Sequence, residues 1–195
     1  MNRRSFLMAS AAALTGAAHL PAGPARAQAA GVNARTCYGF SFPGLDGGQI
    51  ALGDFSGRPI LVVNTASLCG FTPQYKGLQA LWERYAPRGL MLIGAPSNDF
   101  GGQEPGGPED IHQTAQSYGV GFPIAAKVKV LGPEAHPFYR WAAQERPHDL
   151  PRWNFHKYLV GRGGHIAVVF GSDVEPGDPR VATAIEAEFR SSAAG

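Results

Sequence analysis

An α/β fold, in which helices flank a central mixed sheet, is predicted by three observations along the 195 residues. Residues 59–64 (PILVVN) and 90–95 (LMLIGA) are apolar runs without alternation, as expected of strands buried on both faces. Between them Tyr75, Leu78, Leu81, Trp82 and Tyr85 recur at helical spacing, which makes the β-loop-α-β unit of a parallel sheet. Residues 155–160 and 166–170 then flank the glycine-rich turn 161–164, a hairpin that adds antiparallel strands to the same sheet.

The remaining elements follow in chain order. Residues 1–27 have a short basic start, an apolar Ala/Leu run and a small-residue ending at Ala27, the layout of a signal peptide. Arg3-Arg4-Ser5-Phe6-Leu7 resembles a twin-arginine export signal, with Asn2 where Ser or Thr is usual. Export to the periplasm, cleavage near Ala27 and no lasting membrane insertion are therefore expected. Residues 28–36 are small and polar and form a flexible lead-in, leaving 37–195 as a single domain. Phe40, Phe42, Ile50 and Leu52 alternate around Asp46-Gly47-Gly48, an N-terminal β-hairpin. Thr72-Pro73 reads as a helix cap and first turn, and Pro87 and Gly89 stop that helix. Residues 108–118 form a short helix with Glu109 and Asp110 at its positive end, and Phe122-Pro123-Ile124 is strand-like. A helix over 134–146 turns Phe138, Trp141 and Ala142 inward, and a last one over 181–189 does the same with Val181, Ile185 and Phe189. This order of elements is that of a thioredoxin-like sheet.

Composition narrows the function. Seventeen Lys and Arg against 15 Asp and Glu is too balanced for the electrostatic footprint of a nucleic-acid binder. Cleavage would remove Arg3, Arg4 and Arg26, leaving 14 basic residues against 15 acidic, so no polyanionic partner is expected. The histidines show no tight ligand spacing, and two cysteines cannot supply a zinc tetrad. Neither a metal nor a prosthetic cofactor is expected.

Chemistry concentrates at Cys69, which follows a buried strand and precedes a helix, close to free backbone N–H groups and a positive dipole end that favour a thiolate. Position alone leaves two readings open, a reactive thiol and a buried structural one. Phe71-Thr72 stands where a dithiol oxidoreductase would carry its second cysteine, which disfavours disulfide exchange of that type.

Residues 61–78 (LVVNTASLCGFTPQYKGL) resemble the nucleophile motif of the glutathione peroxidase family, in a member with cysteine where others use selenocysteine. Residues 98–106 (NDFGGQEPG) resemble its second signature, with Asn-Asp-Phe for the usual Asn-Gln-Phe, and 153–160 (WNFHKYLV) its third. The resemblance implies a thiol-dependent peroxidase that reduces hydrogen peroxide and organic hydroperoxides. Cys69 is then the peroxidatic nucleophile and Gln103, Trp153 and Asn154 its polar cage. All three neighbours can donate a hydrogen bond and none titrates, so they can stabilise charge on sulfur or on the leaving oxygen without competing for protons.

The sequence departs from the family in two ways. Many cysteine-type relatives carry a resolving cysteine in the stretch corresponding to 111–118, whereas here Thr114 and Ala115 stand there and no cysteine follows Cys69. An external thiol co-substrate, glutathione or a thioredoxin-like protein, is therefore expected as reductant, with Cys37 the sole internal candidate. The connection 146–152 lacks the insertion that tetrameric relatives use for assembly, so a monomer is expected. The alternative function is a periplasmic redox sensor or thiol-binding module with little turnover.

Overall fold

In the computed structural model, residues 36–191 are described. The expected signal peptide, its cleavage site and all of the lead-in but Thr36 lie outside the described residues.

The hairpin forms as expected. β1 (Ser41–Pro43) pairs antiparallel with β2 (Gln49–Ala51), and the turn runs through Gly47 and Gly48 at φ 91° and 72°, a left-handed geometry that glycine adopts without steric cost. The central sheet has the order β4-β3-β5-β6. β3 (Ile60–Thr65) and β4 (Met91–Pro96) are parallel and wholly buried, joined through α1 (Gln74–Tyr85). β5 (Lys157–Val160) runs antiparallel to β3, and β6 (Ile166–Phe170) antiparallel to β5, so the sheet is mixed. The fold is thioredoxin-like.

Alternation within β3 sorts the core into two layers. Leu61 and Val63 join Tyr75, Leu78, Leu81 and Tyr85 of α1 and Val181 and Ile185 of α4 (Pro179–Arg190). Ile60 and Val62 join Phe42 of the hairpin, Tyr158, and Phe138 and Trp141 of α3 (Pro137–Glu145). A strand side chain points to alternate faces at each step, so one buried strand feeds both layers.

Several element boundaries differ from expectation, among them the start of β5, which begins at Lys157 and not at 155 because Phe155 has φ 64° and cannot extend the strand. α3 starts at Pro137 because a residue before proline is driven from the helical region; His136 has ψ 142° and accepts the Phe138 N–H on its imidazole nitrogen at 3.3 Å. α4 starts two residues early, where the Asp178 carboxylate accepts the Arg180 N–H at 2.8 Å. Phe122-Pro123-Ile124 makes only an isolated parallel bridge, Ile124 to Gly94, because Pro123 has no N–H to extend a ladder. α2 (Pro108–Ser117) closes its first turn with the Gly107 N–H donated to Asp110 at 2.9 Å.

Candidate active site

β3 ends at Thr65, and the chain turns through residues 66–73 before α1. The Thr72 hydroxyl accepts the Cys69 N–H at 3.1 Å and donates to the Ala66 carbonyl at 2.8 Å. Thr72 was expected to cap α1; instead it closes the loop that carries Cys69, and the cap position falls to Pro73. The first amides of the helix are already taken. Gln74, Tyr75 and Lys76 donate to Phe71, Thr72 and Pro73 carbonyls at 2.9, 3.0 and 3.1 Å, so a side-chain cap has little left to satisfy.

Cys69 is 6% exposed, and its Sγ accepts the Phe71 N–H at 3.4 Å. Of the free amides expected around the sulfur, this is the one that reaches it among the described residues. The neighbouring side chain Leu68 stands out at 67% exposure, so the sulfur sits just beneath the surface.

The cage residues arrive from two other segments. Gly101 and Gly102, both at φ 63°, bend the loop after β4 so that the Gln103 carbonyl accepts the Leu68 N–H at 3.0 Å. That bond fixes Gln103 to the residue next to Cys69. Asn154 is fully buried and donates its amide to Gln103 Oε1 at 3.0 Å. The Gln103 carboxamide oxygen is thereby occupied, and its N–H groups are the ones left to donate. Trp153 is 38% exposed, its ring 5.9 Å from Phe100 and against the Gly101 backbone. The structure thus brings Gln103 and Asn154 into direct contact and ties Gln103 to the loop that carries Cys69. It places Trp153 beside that loop's partner segment. Among the described residues, none of these three side chains hydrogen-bonds to the sulfur itself.

Two buried polar residues, Glu104 and Asn64, were not singled out from the sequence, and Lys157, which reads from the sequence as a solvated charge, is buried. Glu104 is fully buried, accepts the Ser67 hydroxyl at 3.1 Å and donates its own N–H to Asn98 at 2.9 Å. Burial pushes its carboxyl up, against the Ser67 hydrogen bonds that hold it down. Asn64 is fully buried at the end of β3, and Lys157 is buried with Nζ on the Phe155 carbonyl at 2.7 Å. Burial draws Lys157 down to about 8 and His156 down to about 4. For Asn64 and Lys157 the available signal was a polar residue inside an apolar strand run, which asks for a buried partner; Glu104, in a glycine-rich loop, carried no such signal.

Cys37 is not placed to serve Cys69. It lies fully buried in the layer on the opposite face of the sheet, its N–H on the Gly164 carbonyl at 2.8 Å. Burial pushes its thiol up to about 12.

A groove of about 380 Å³ opens beside the site, lined by Phe71, Leu150, Arg152, Trp153 and His156 among others. A larger one of about 760 Å³, between the β1–β2 turn and α2, includes none of the cage residues. Among the described residues no group of three His, Cys, Asp or Glu side chains could hold a metal ion, and no helix is long and apolar enough to cross a membrane.

Known proteins give the following comparisons. A family model described as glutathione peroxidase matches residues 37–143. The hydroperoxy fatty acid reductase gpx1 of Synechocystis sp. is 47% identical over 152 residues, 72% of this chain and 89% of that protein. A glutathione peroxidase of Lactococcus lactis subsp. cremoris is 41% identical over 143 residues, 71% of this chain and 91% of that protein. The crystal structure of Trgpx in apo form matches with a TM-score of 0.67 at 30% identity, covering 82% of this chain and 99% of that one. A thiol:disulfide interchange protein of Chlorobium tepidum TLS shares the fold, with a TM-score of 0.57 at 15% identity over 77% of this chain and 92% of that one.

Proposed function

Because the chain belongs to the glutathione peroxidase family and is a thiol-dependent peroxidase, we propose that Cys69 is its peroxidatic nucleophile and that Gln103, Trp153 and Asn154 assist it. The Cys69 thiolate attacks one peroxide oxygen; an S–O bond forms and the O–O bond breaks. The other oxygen takes a proton and leaves as water or an alcohol, and the sulfur becomes a sulfenic acid. An external thiol condenses with it, releasing water and forming a mixed disulfide. A second thiol attacks that disulfide, restores Cys69 and departs as the oxidised reductant. The observation that carries this reading is the Asn154–Gln103 hydrogen bond beside the Cys69 loop, which leaves the Gln103 amide hydrogens to meet charge developing at sulfur or oxygen.

Hydrogen peroxide and organic hydroperoxides are the substrates. The name of the Synechocystis relative supports the organic class, as do the exposed Leu68, Leu150 and Trp153 at the mouth of the site. Glutathione or a thioredoxin-like protein is the reductant; the placement of Cys37 on the other face supports a one-cysteine cycle. The Arg3-Arg4 leader supports export to a bacterial periplasm, and the short 146–152 connection supports a monomer. Peroxide consumption by the purified chain with glutathione or thioredoxin as the one electron donor tests the cycle. Turnover with either is expected, and single-turnover oxidation of Cys69 no faster than that of a free thiolate would overturn it.

A further inference from the structure

We propose that Asn64 is a positioning residue for peroxide reduction, fastening the Trp153–Asn154 turn to the strand that delivers Cys69. The inference rests on the role given above to Trp153 and Asn154.

Asn64 is a carboxamide in the run Ile60-Leu61-Val62-Val63, fully buried where burying a polar group is unfavourable unless it is hydrogen-bonded. It holds the neighbouring segment at three points. Its side-chain Nδ2 donates to the Trp153 carbonyl at 3.1 Å. Its main-chain oxygen accepts the Phe155 N–H at 2.6 Å, and its main-chain N–H donates to the His156 carbonyl at 3.3 Å. The regular β3–β5 ladder runs from the pair Ile60 and Val160 to the pair Val63 and Lys157, so Asn64, still paired with β4, is the first residue of β3 to face the turn that precedes β5.

That turn needs holding. Phe155 has φ 64°, the one non-glycine residue at positive φ among the described residues, and a bulky aromatic side chain is rarely found there. Its N–H is taken by Asn64, its carbonyl by Lys157, and its ring lies edge-on to Tyr75 at 5.4 Å. The backbone contacts of Asn64 are open to any residue type, whereas the grip on Trp153 requires a side-chain donor of this length. Serine is shorter, glutamine is one methylene longer, and aspartate would set a carboxylate against a carbonyl oxygen. Loss of the grip frees the Trp153 carbonyl, and so the peptide that leads into Asn154, and loosens the Asn154 bond to Gln103, the contact through which the tie acts. Displacement of a catalytic group by about 1 Å can cost on the order of 100-fold in rate.

The test is stopped-flow oxidation of Cys69 by hydrogen peroxide in the full chain carrying Asn64→Ala, Asn154→Ala or both, with urea unfolding to fix the folded fraction. Asn64→Ala is expected to slow oxidation about 10-fold and to leave reduction of the sulfenic acid by thiol within about 2-fold. In the Asn154→Ala background the same change is expected to slow oxidation by less than about 2-fold, since both act through one contact. If Asn64→Ala does not fold, Asn64→Ser fills the smaller cavity and is expected to show the same pattern. A slow Asn154→Ala beside a fully active Asn64 variant overturns the tie alone. Full multiplication of the two effects also overturns it, because the residue would then act elsewhere. An unimpaired Asn154→Ala overturns the assigned role of Asn154, and the function of the tie with it.

Discussion

Cys37 and Cys69 lie against opposite faces of one sheet, and both are buried. Cys37 shares its layer with Phe40, Phe42, Leu52 and Trp141, and burial pushes its thiol up to about 12 against the pull of a backbone hydrogen bond. Cys69 sits where the other layer runs out. Leu68 beside it is mostly exposed, and Asn64, Thr72, Glu104 and Asn154 are buried polar residues at the same end of the sheet. Exposure of the sulfur therefore does not separate the two cysteines. What separates them is the company each keeps: the Cys69 sulfur accepts the Phe71 N–H at an end of the sheet rich in buried polar side chains, whereas Cys37 is packed among apolar ones.

The largest break in this comparison is to remove each sulfur in turn. Cys69→Ser is expected to lower peroxide consumption by on the order of 1,000-fold or more, because serine at neutral pH is a far weaker nucleophile toward peroxide. Cys37→Ala is expected to leave the rate within about 2-fold and to cost about 1–2 kcal/mol in urea unfolding, the effect of a small cavity. A Cys37 variant that turns over slowly at full stability would show that the two faces exchange thiol chemistry. Next in size is Gln103→Ala, which removes the donor held ready by Asn154; a fall in Cys69 oxidation of about 100-fold matches the loss of one preorganised donor. An unchanged rate would mean that polarity around Cys69 serves folding alone.

The parallel strand pair and the helix between them were legible in the sequence, because the runs at 59–64 and 90–95 lack alternation, as strands buried on both faces do, while Tyr75 to Tyr85 recur at helical spacing. The candidate site was legible by resemblance to three family motifs, and the comparisons with known proteins support that family. What stayed hidden was the direction of each polar group. Thr72 has the residue type of a cap, yet its hydroxyl turns back to Cys69 and Ala66. Asn154 spends an amide hydrogen on Gln103, and Phe155 adopts a left-handed backbone that its residue type disfavours. These choices are made by long-range partners, 51 positions apart in the case of Asn154 and Gln103, and local pattern holds no record of them.

Thr72 sharpens the comparison at smaller scale, since its hydroxyl accepts the Cys69 N–H itself, whereas the Cys37 N–H goes to the main-chain carbonyl of Gly164. Thr72→Val keeps the shape and removes a donor and an acceptor, leaving the Cys69 N–H and the Ala66 carbonyl buried without partners. A loss of about 2 kcal/mol in urea unfolding is expected, whereas Thr72→Ser should restore most of it. If the valine variant is as stable as the parent, the loop is held by its backbone bonds and the hydroxyl is incidental.

The smallest expected effect belongs to the other layer and is read by pH. His156 sits edge-on to Tyr158, a member of the Cys37 layer, at 4.7 Å. Burial lowers it from 6.5 to about 4, Lys157 pushes in the same direction, and Asp149 pulls back. A base whose folded value is depressed favours the folded state in its neutral form. Its contribution is therefore present above pH 6.5 and is lost as pH falls from there toward 4. By pH 5.5 the loss is about 1 kcal/mol, within the reach of urea midpoints measured at pH 7.5 and 5.5. His156→Gln should shrink that difference, the remainder belonging to His136, which burial also lowers. Lys157, drawn from 10.5 to about 8, titrates in a separate alkaline window and cannot imitate it. A variant that keeps the full acid slope would place the titrating group elsewhere in the protein.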